Sequence, residues 1–269
     1  MYALKDQLNR IIKFEDSPKR IISLVPSQTE LLCDLGLEAN LVGVTKFCVH
    51  PQHIKTNATV VGGTKQIHFD RIKALKPDII LCNKEENTKT IVESCQSICN
   101  VHVSNIFTLT DSLDLILQYG VLFKKEENAK LVINKIENKI ADFKMFIADK
   151  PILKTTYFIW KNPWMVVGSN TFINYLLELN KFKNIYTKQT RYPEIELSKS
   201  IENKRVELVL LSSEPFPFKK IHKKEIQPFY SNANILLVDG EMFSWYGSRL
   251  IKAFSYFKTL RLNLQKNGL

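Results

Sequence analysis

The chain has 269 residues, of which 45% are hydrophobic and 24% charged, with five cysteines and a formal net charge of +11. This composition excludes a disordered chain and a coiled coil, and no apolar run approaches the roughly 20 residues needed to cross a bilayer. The odd number of cysteines (Cys33, Cys48, Cys82, Cys95, Cys99), with no C-x-x-C pair among them, speaks against a disulfide framework. Charge is unevenly placed: 18 basic and 9 acidic residues follow Lys150, so +9 of the +11 lies there. Such a field favours an anionic partner. No RNA-recognition or zinc-finger signature accompanies it, and nucleic acid is not an expected partner. The N-terminal residues Met1–Gln7 lack the apolar core of a signal peptide, so the chain as written is expected in the cytoplasm. If a leader had been removed, it would be expected in the periplasm or anchored at the surface.

In chain order, residues 2–14 read as a short strand or arm. Ile21–Val25 is then a continuous apolar run ended by Pro26, the pattern of a buried strand. Ser27 and Glu30 stand three apart before Leu31–Leu35, which predicts a helix opened by a capping box and closed at Gly36. Leu41–Thr45 is the next strand, and its end releases Lys46 to Pro51. Val60-Val61 runs into Gly62-Gly63, a turn at which backbone can approach a ligand. Asp70–Leu75 reads as a short helix, Ile79–Cys82 as a strand, and Asn83–Asn87 as a polar loop. A helix to about Ile98, the strand Val101–Val103 and a helix over Asp111–Phe123 follow.

Ala129, Val132, Ile133, Ile136, Ile140, Phe143, Phe146 and Ile147 recur at three- and four-residue steps, which predicts one long helix over Lys125–Lys150, stopped by Pro151. The alternation then resumes with strands at Thr155–Trp160, Trp164–Val167, Val206–Leu211 and Ile235–Val238. Helices are expected at Phe172–Leu179, near Ser198–Asn203, and from Ser248 to about Leu262. Strands alternating with helices imply parallel pairing. The expected architecture is α/β: an N-terminal lobe (1–124), a linking helix (125–150) and a C-terminal lobe (151–269), each lobe Rossmann-like with a parallel-rich sheet.

Ligands of such sheets sit at the carboxyl ends of the strands. In the second lobe, those ends release Trp160, Trp164, Tyr192, Phe216, Phe218, Phe243, Trp245 and Tyr246, alongside Arg191 and Arg249. Rings that stack and guanidinium groups that pair with carboxylates suit a flat or conjugated anionic ligand. Cys48-x-His50-x-x-His53 brings soft and imidazole donors close in sequence and makes Cys48 and His50 metal candidates. There is no P-loop, no Gly-x-Gly-x-x-Gly fingerprint and no Gly-x-Ser-x-Gly elbow. The chain is therefore expected not to be an enzyme.

These residues also resemble a known family. Arg20-Ile-Ile-Ser-Leu-Val-Pro-Ser-Gln-Thr-Glu30, Leu35-Gly36, Val42-Gly43-Val44-Thr45, Val61-Gly62-Gly63, Leu75-Lys76-Pro77-Asp78-Ile79-Ile80, Trp164–Gly168 and Arg191-Tyr192-Pro193 are similar, in order, to the class III substrate-binding proteins of ABC importers. Those are helical-backbone receptors for cobalamin, ferric siderophores and haem. The resemblance implies two Rossmann-like lobes bridged by the long helix, a ligand held in the cleft with little hinge motion, and docking on a membrane permease through acidic residues. This chain differs from the cobalamin receptors in two respects. Thr64 and Asn83 stand in the loops that carry their stacking tryptophans, while Tyr192 keeps an aromatic at the third such place. Of the docking positions, Asp70 keeps its charge and the region near Ser198-Lys199 has none.

The expected function is the binding of a metal chelate (ferric siderophore, haem or corrinoid) for ABC-type import, by a monomer that requires no cofactor of its own. The expected iron- or cobalt-bearing ligand meets Lys46, Phe47, Cys48, Thr64, Lys65, Asn83, Lys84 and Glu85 from one lobe. From the other side it meets Trp160, Tyr192, Phe216, Trp245, Tyr246 and Arg249, with Lys65 and Arg249 neutralising its carboxylates and Cys48 or His50 reaching the metal. The alternative is a cytosolic enzyme or a metal- or corrinoid-handling factor that has reused this fold.

Overall fold

The computed structural model describes residues 2–198 and 205–266. Two units divide the chain: Met1–Asn138 with Trp245–Leu250, and Lys139–Ser244 with Ile251–Leu269.

The first unit opens with an antiparallel hairpin of β1 (Tyr2–Lys5) and β2 (Ile11–Phe14). Buried Asp6 closes its turn, accepting from the backbone of Leu8 and Arg10 and pairing with the Arg10 guanidinium at 2.6 Å. The main sheet comprises β3 (Ile21–Ser23), β4 (Leu41–Val44), β5 (Thr59–Val60), β6 (Ile79–Asn83) and β7 (Asn100–Ser104). Its strands run parallel in the order β5-β4-β3-β6-β7. The apolar runs at Ile21–Val25 and Ile79–Cys82 lie at its centre because both faces are covered and every side chain there is buried. Between the strands run α1 (Pro26–Asp34), α2 (Ile54–Asn57), α3 (Phe69–Ala74), α4 (Lys89–Gln96) and α5 (Leu109–Leu122).

The capping box expected at Ser27 is not what starts α1. Extended Val25 is the N-cap, and Pro26 takes the first helical position, where its fixed φ and missing N–H cost nothing. Ser27 is thereby buried one residue inside the helix, and the Glu30 carboxylate turns to Arg249 instead of the helix start. A true capping box opens α5: the Thr108 hydroxyl accepts from the Asp111 amide, and the Asp111 carboxylate accepts from Thr108 N.

The long helix α6 (Glu126–Ile147) passes from the first unit into the second. Ala129, Val132, Ile136, Phe143 and Ile147 are its buried stripe, as the periodicity predicts. In the second unit Phe143 packs on Phe254 and Phe257 of the last helix, with ring centres 5.5 and 6.0 Å apart. Cations gather just beyond its C-terminal end. Lys181 Nζ donates to the carbonyls of Ala148 and Lys150, and Arg261 Nη2 to that of Pro151, which answers the carbonyl-rich end of a helix.

The second unit holds β8 (Leu153–Trp160), β9 (Met165–Val166), α7 (Phe172–Leu179), β10 (Phe182–Asn184), β11 (Leu208–Ser212), α8 (Lys220–Ile226), β12 (Asn234–Val238), α9 (Gly240–Ser244) and α10 (Leu250–Lys266), whose first residue belongs to the first unit. The order β10-β8-β11-β12 is parallel, and β9 lies antiparallel against β8. The α/β class and the two Rossmann-like units joined by a long helix agree with the sequence reading. The closing helix begins at Leu250, preceded by a 3-10 turn over Gly247–Arg249 in place of the expected helix start at Ser248. Most of the helix expected near Ser198–Asn203 lies outside the described residues.

Candidate functional site

In the first unit the strand order reverses between β3 and β6, the place where a doubly wound sheet opens a crevice at its carboxyl edge. Here the chain itself occupies that place. Gln28 Nε2 donates to Ser104 Oγ (2.6 Å) and Tyr246 Oη (2.9 Å), and Tyr119 Oη donates to Gln28 Oε1 (2.8 Å). Gly247 N donates to Ser112 Oγ at 2.9 Å, and Arg249 Nε to Glu30 Oε2 at 2.8 Å. Burial pushes the Tyr119 and Tyr246 hydroxyls well above their ordinary range, so both remain protonated and able to donate.

Several expected ligand contacts are buried in the first unit. Arg249 is 3% exposed, bound to Glu30, with its guanidinium 4.9 Å from the Trp245 ring centre. Trp245 and Tyr246 are buried, the former edge-on to His50 at 5.5 Å. Cys48 is buried between the hydroxyls of Thr29 and Thr45 (3.1 and 3.2 Å), and desolvation raises its thiol. The metal candidates Cys48 and His50 have other described neighbours. Cys48 faces two threonines, His50 faces Trp245, and His53 Nε2 lies 2.7 Å from Glu38 Oε1. Among the described residues no group of three or more His, Cys, Asp or Glu side chains gathers to hold an ion.

Asn83 is also buried, yet it shapes the rim. Its Oδ1 accepts from the amides of Glu85 and Glu86, its Nδ2 donates to Ser104 Oγ, and its own amide donates to Asn87 Oδ1. Asn87 Nδ2 in turn donates to the Thr64 carbonyl, and Lys65 Nζ to the Glu85 carbonyl at 2.6 Å. Two asparagines four apart thus tie the Thr64–Lys65 and Lys84–Glu85 loops together. The sequence reading identified the loop but not the role of Asn87 in bracketing it. Beside it, Lys46 Nζ stands 5.0 Å from the Phe47 ring centre, and that ring lies over Gly63. A Cβ at Gly63 would come 3.1 Å from Phe47 Cε2, so the glycine is what lets the ring lie down there. The exposed rim of the first unit is then Lys46, Phe47 (49% exposed), Lys65 and Lys84, with half-buried Thr64 and Glu85.

In the second unit the reversal falls between β8 and β11. Trp160, the last residue of β8, and Phe216, on the loop that leaves β11, meet edge to face at 5.8 Å, and Phe216 N donates to the Ile159 carbonyl. Phe218 lies beneath Phe216 at 4.8 Å and stacks on Trp164 at 6.1 Å. Phe243, expected in a loop, is instead buried on α9. Trp160 remains 38% exposed, and Phe216 is half-buried. Tyr192 sits half-buried on a third loop, with the Arg191 guanidinium 5.7 Å from its ring centre. Backbone bonds pin that loop to β9 and the residues after it: Val166 N to Pro193 O, Gly168 N to Arg191 O and Arg191 N to Ser169 O. An open depression of about 530 Å³ lies elsewhere in this unit, lined by Lys161, Trp164, Leu197, Glu225 and Phe229 among others, and includes none of Trp160, Tyr192 and Phe216.

Asp70, the expected docking residue, is exposed in the first turn of α3. Ser198 is exposed, and Lys199 lies outside the described residues. No described helix is long and apolar enough to cross a membrane.

The comparisons with known proteins agree with this architecture. The chain is 25% identical over 206 residues to the ABC transporter substrate-binding lipoprotein YvrC of Bacillus subtilis (strain 168), a stretch that covers 72% of this chain and 63% of that protein. The chain thus spans less than two thirds of that relative's length. Among solved structures, the periplasmic vitamin B12 binding protein BtuF of Vibrio cholerae superposes with a TM-score of 0.78 at 18% identity, covering 93% of this chain and 99% of that one. A periplasmic heme binding protein from Pseudomonas aeruginosa gives a TM-score of 0.80 at 19% identity, covering 91% and 92%. The profile described as periplasmic binding protein matches residues 21–229, and the chain belongs to that family.

Proposed function

We propose that this chain is the substrate-binding protein of an ABC importer and that its cargo is an anionic metal chelate, a ferric siderophore, a haem or a corrinoid. The observation that carries the reading is the pairing of family membership with two carboxyl edges whose accessible groups are rings and ammonium groups. In the first unit the groups suited to such a chelate are Lys46, Phe47, Thr64, Lys65 and Lys84, and in the second unit they are Trp160, Tyr192 and Phe216. Rings bury the apolar faces of such a ligand, and lysines offset its carboxylate or phenolate charge without requiring a fixed approach angle. Binding requires no chemical step, and the metal travels as cargo held by its own chelator. The relatives' names place them in the periplasm or on a lipid anchor, and we propose the same setting here, with Asp70 contributing to permease docking.

Ligand retention tests the reading. The purified chain is examined for visible absorbance, then heated with cobalamin, haem and several ferric siderophores. A ligand at a hundred times its Kd stabilises the fold by about 2.7 kcal/mol, a clear rise in Tm. A rise with one compound class supports a receptor for that class, whereas no rise with any of them overturns the proposal.

A further inference from the structure

Next to the rings at its carboxyl edge, the second unit presents a short basic surface that the binding reading does not use. Helix α8 turns His222, Glu225 and Ile226 inward: His222 packs on Phe216 and Phe218, Glu225 pairs with Lys161, and Ile226 is buried. Its other side carries Lys220, Ile221 and Lys224, spaced one and four residues apart as on a single helical face. Lys219 precedes it, Lys223 flanks it, and Phe229 follows on the next turn. Among the described residues none of these four lysines forms an ion pair, because the acid on the helix, Glu225, is taken by Lys161. Ile221 is 55% exposed and Phe229 38%.

We propose that the segment Lys219–Phe229 docks on an anionic lipid surface. Four like charges within six residues repel one another, and a plane of negative headgroups relieves that repulsion at once. The cations are all lysines, with no arginine among them. Lysine acts as a point charge in a diffuse field, whereas the fixed carboxylates of a protein partner favour the arginine fork. Ile221 is exposed between Lys220 and Lys224 in the chain, so its apolar atoms enter the acyl boundary while the lysine stems lie along it and their heads stay in the headgroup layer.

The test is sedimentation of the full chain with vesicles of phosphatidylcholine alone and with roughly one third phosphatidylglycerol. The expected result is partition onto the anionic vesicles only, falling as salt rises. Lys220→Glu with Lys224→Glu should weaken it at least about tenfold. Ile221→Ser, which leaves the charge unchanged, should weaken it about threefold or more. Lys13→Glu with Lys135→Glu, an equal charge change at exposed positions elsewhere, should weaken it less than about twofold. Melting curves confirm that each variant is folded. Equal binding to both vesicle types overturns the proposal. So does equal loss in the two lysine pairs, which would reduce the effect to net charge, and so does undiminished binding by Ile221→Ser.

Discussion

Arg249 Nε and Glu30 Oε2 meet at 2.8 Å with both side chains almost wholly buried, so that a residue 219 positions later in the chain neutralises the carboxylate of the first helix. Truncating one member of such a pair strands the other charge in a medium that solvates it poorly. Arg249→Ala should therefore lower unfolding free energy by about 3–5 kcal/mol. Glu30→Leu combined with Arg249→Met should be far milder, since no lone charge remains. Urea midpoints of the single and double variants check this, and a double variant as weak as the single would show that packing, not charge, holds the site.

Phe47 lies half-exposed on the rim, so its removal should affect binding rather than folding. Phe47→Ala is expected to leave the Tm of the unliganded chain nearly unchanged and to weaken the chelate at least about tenfold. Titration with whichever ligand raises the Tm measures it, and unchanged affinity would remove Phe47 from the site.

A glycine holds the Tyr192 loop in place. A Cβ on Gly168 would stand 2.3 Å from the carbonyl oxygen of Gln189, which is backbone and cannot swing aside. Gly168→Ala should cost about 1–3 kcal/mol and displace Tyr192. The joint outcome to look for is a lower Tm together with weaker ligand binding.

His102 on β7 is buried, with Nε2 2.9 Å from Gln118 Oε1, and no described group is bonded to its Nδ1. Burial pushes its pKa below the ordinary value of 6.5, outweighing the bond to Gln118 Oε1 and the nearby charge of Asp6. A base with a depressed folded pKa takes up protons in the unfolded chain first. Its stabilising contribution is therefore complete above about pH 6.5 and is lost as pH falls toward the folded value. Urea midpoints between pH 7.5 and 5.5 should fall more steeply for the natural chain than for His102→Gln, and parallel curves would refute the assignment.

Central strands and long helices were legible in the sequence because burial on both faces, or along one stripe, constrains many consecutive residues. Ile21–Val25, Ile79–Cys82, Val206–Leu211 and the stripe of α6 are of this kind. By contrast, β10 has three residues and α8 has seven, too few positions for a period to stand out. The candidate site was legible as a set of strand-end loops carrying Lys46, Phe47, Lys65, Lys84, Trp160 and Phe216. Which neighbouring groups face inward was not, because it depends on tertiary placement. Nothing local to Trp245, Tyr246 or Arg249 signals that they complete a unit whose other residues end at Asn138.

The return of Trp245–Leu250 to the first unit has a temporal consequence. The chain changes unit at Asn138, at Ser244 and again at Leu250, so the first unit cannot be completed as the polypeptide emerges in order. Until the later residues are synthesised, Glu30, Gln28 and Ser104 lack partners that they have in the finished protein. A nascent chain halted after α6 should therefore be open to proteases along α1 and β7, and acquire its full resistance only once translation has passed Leu250.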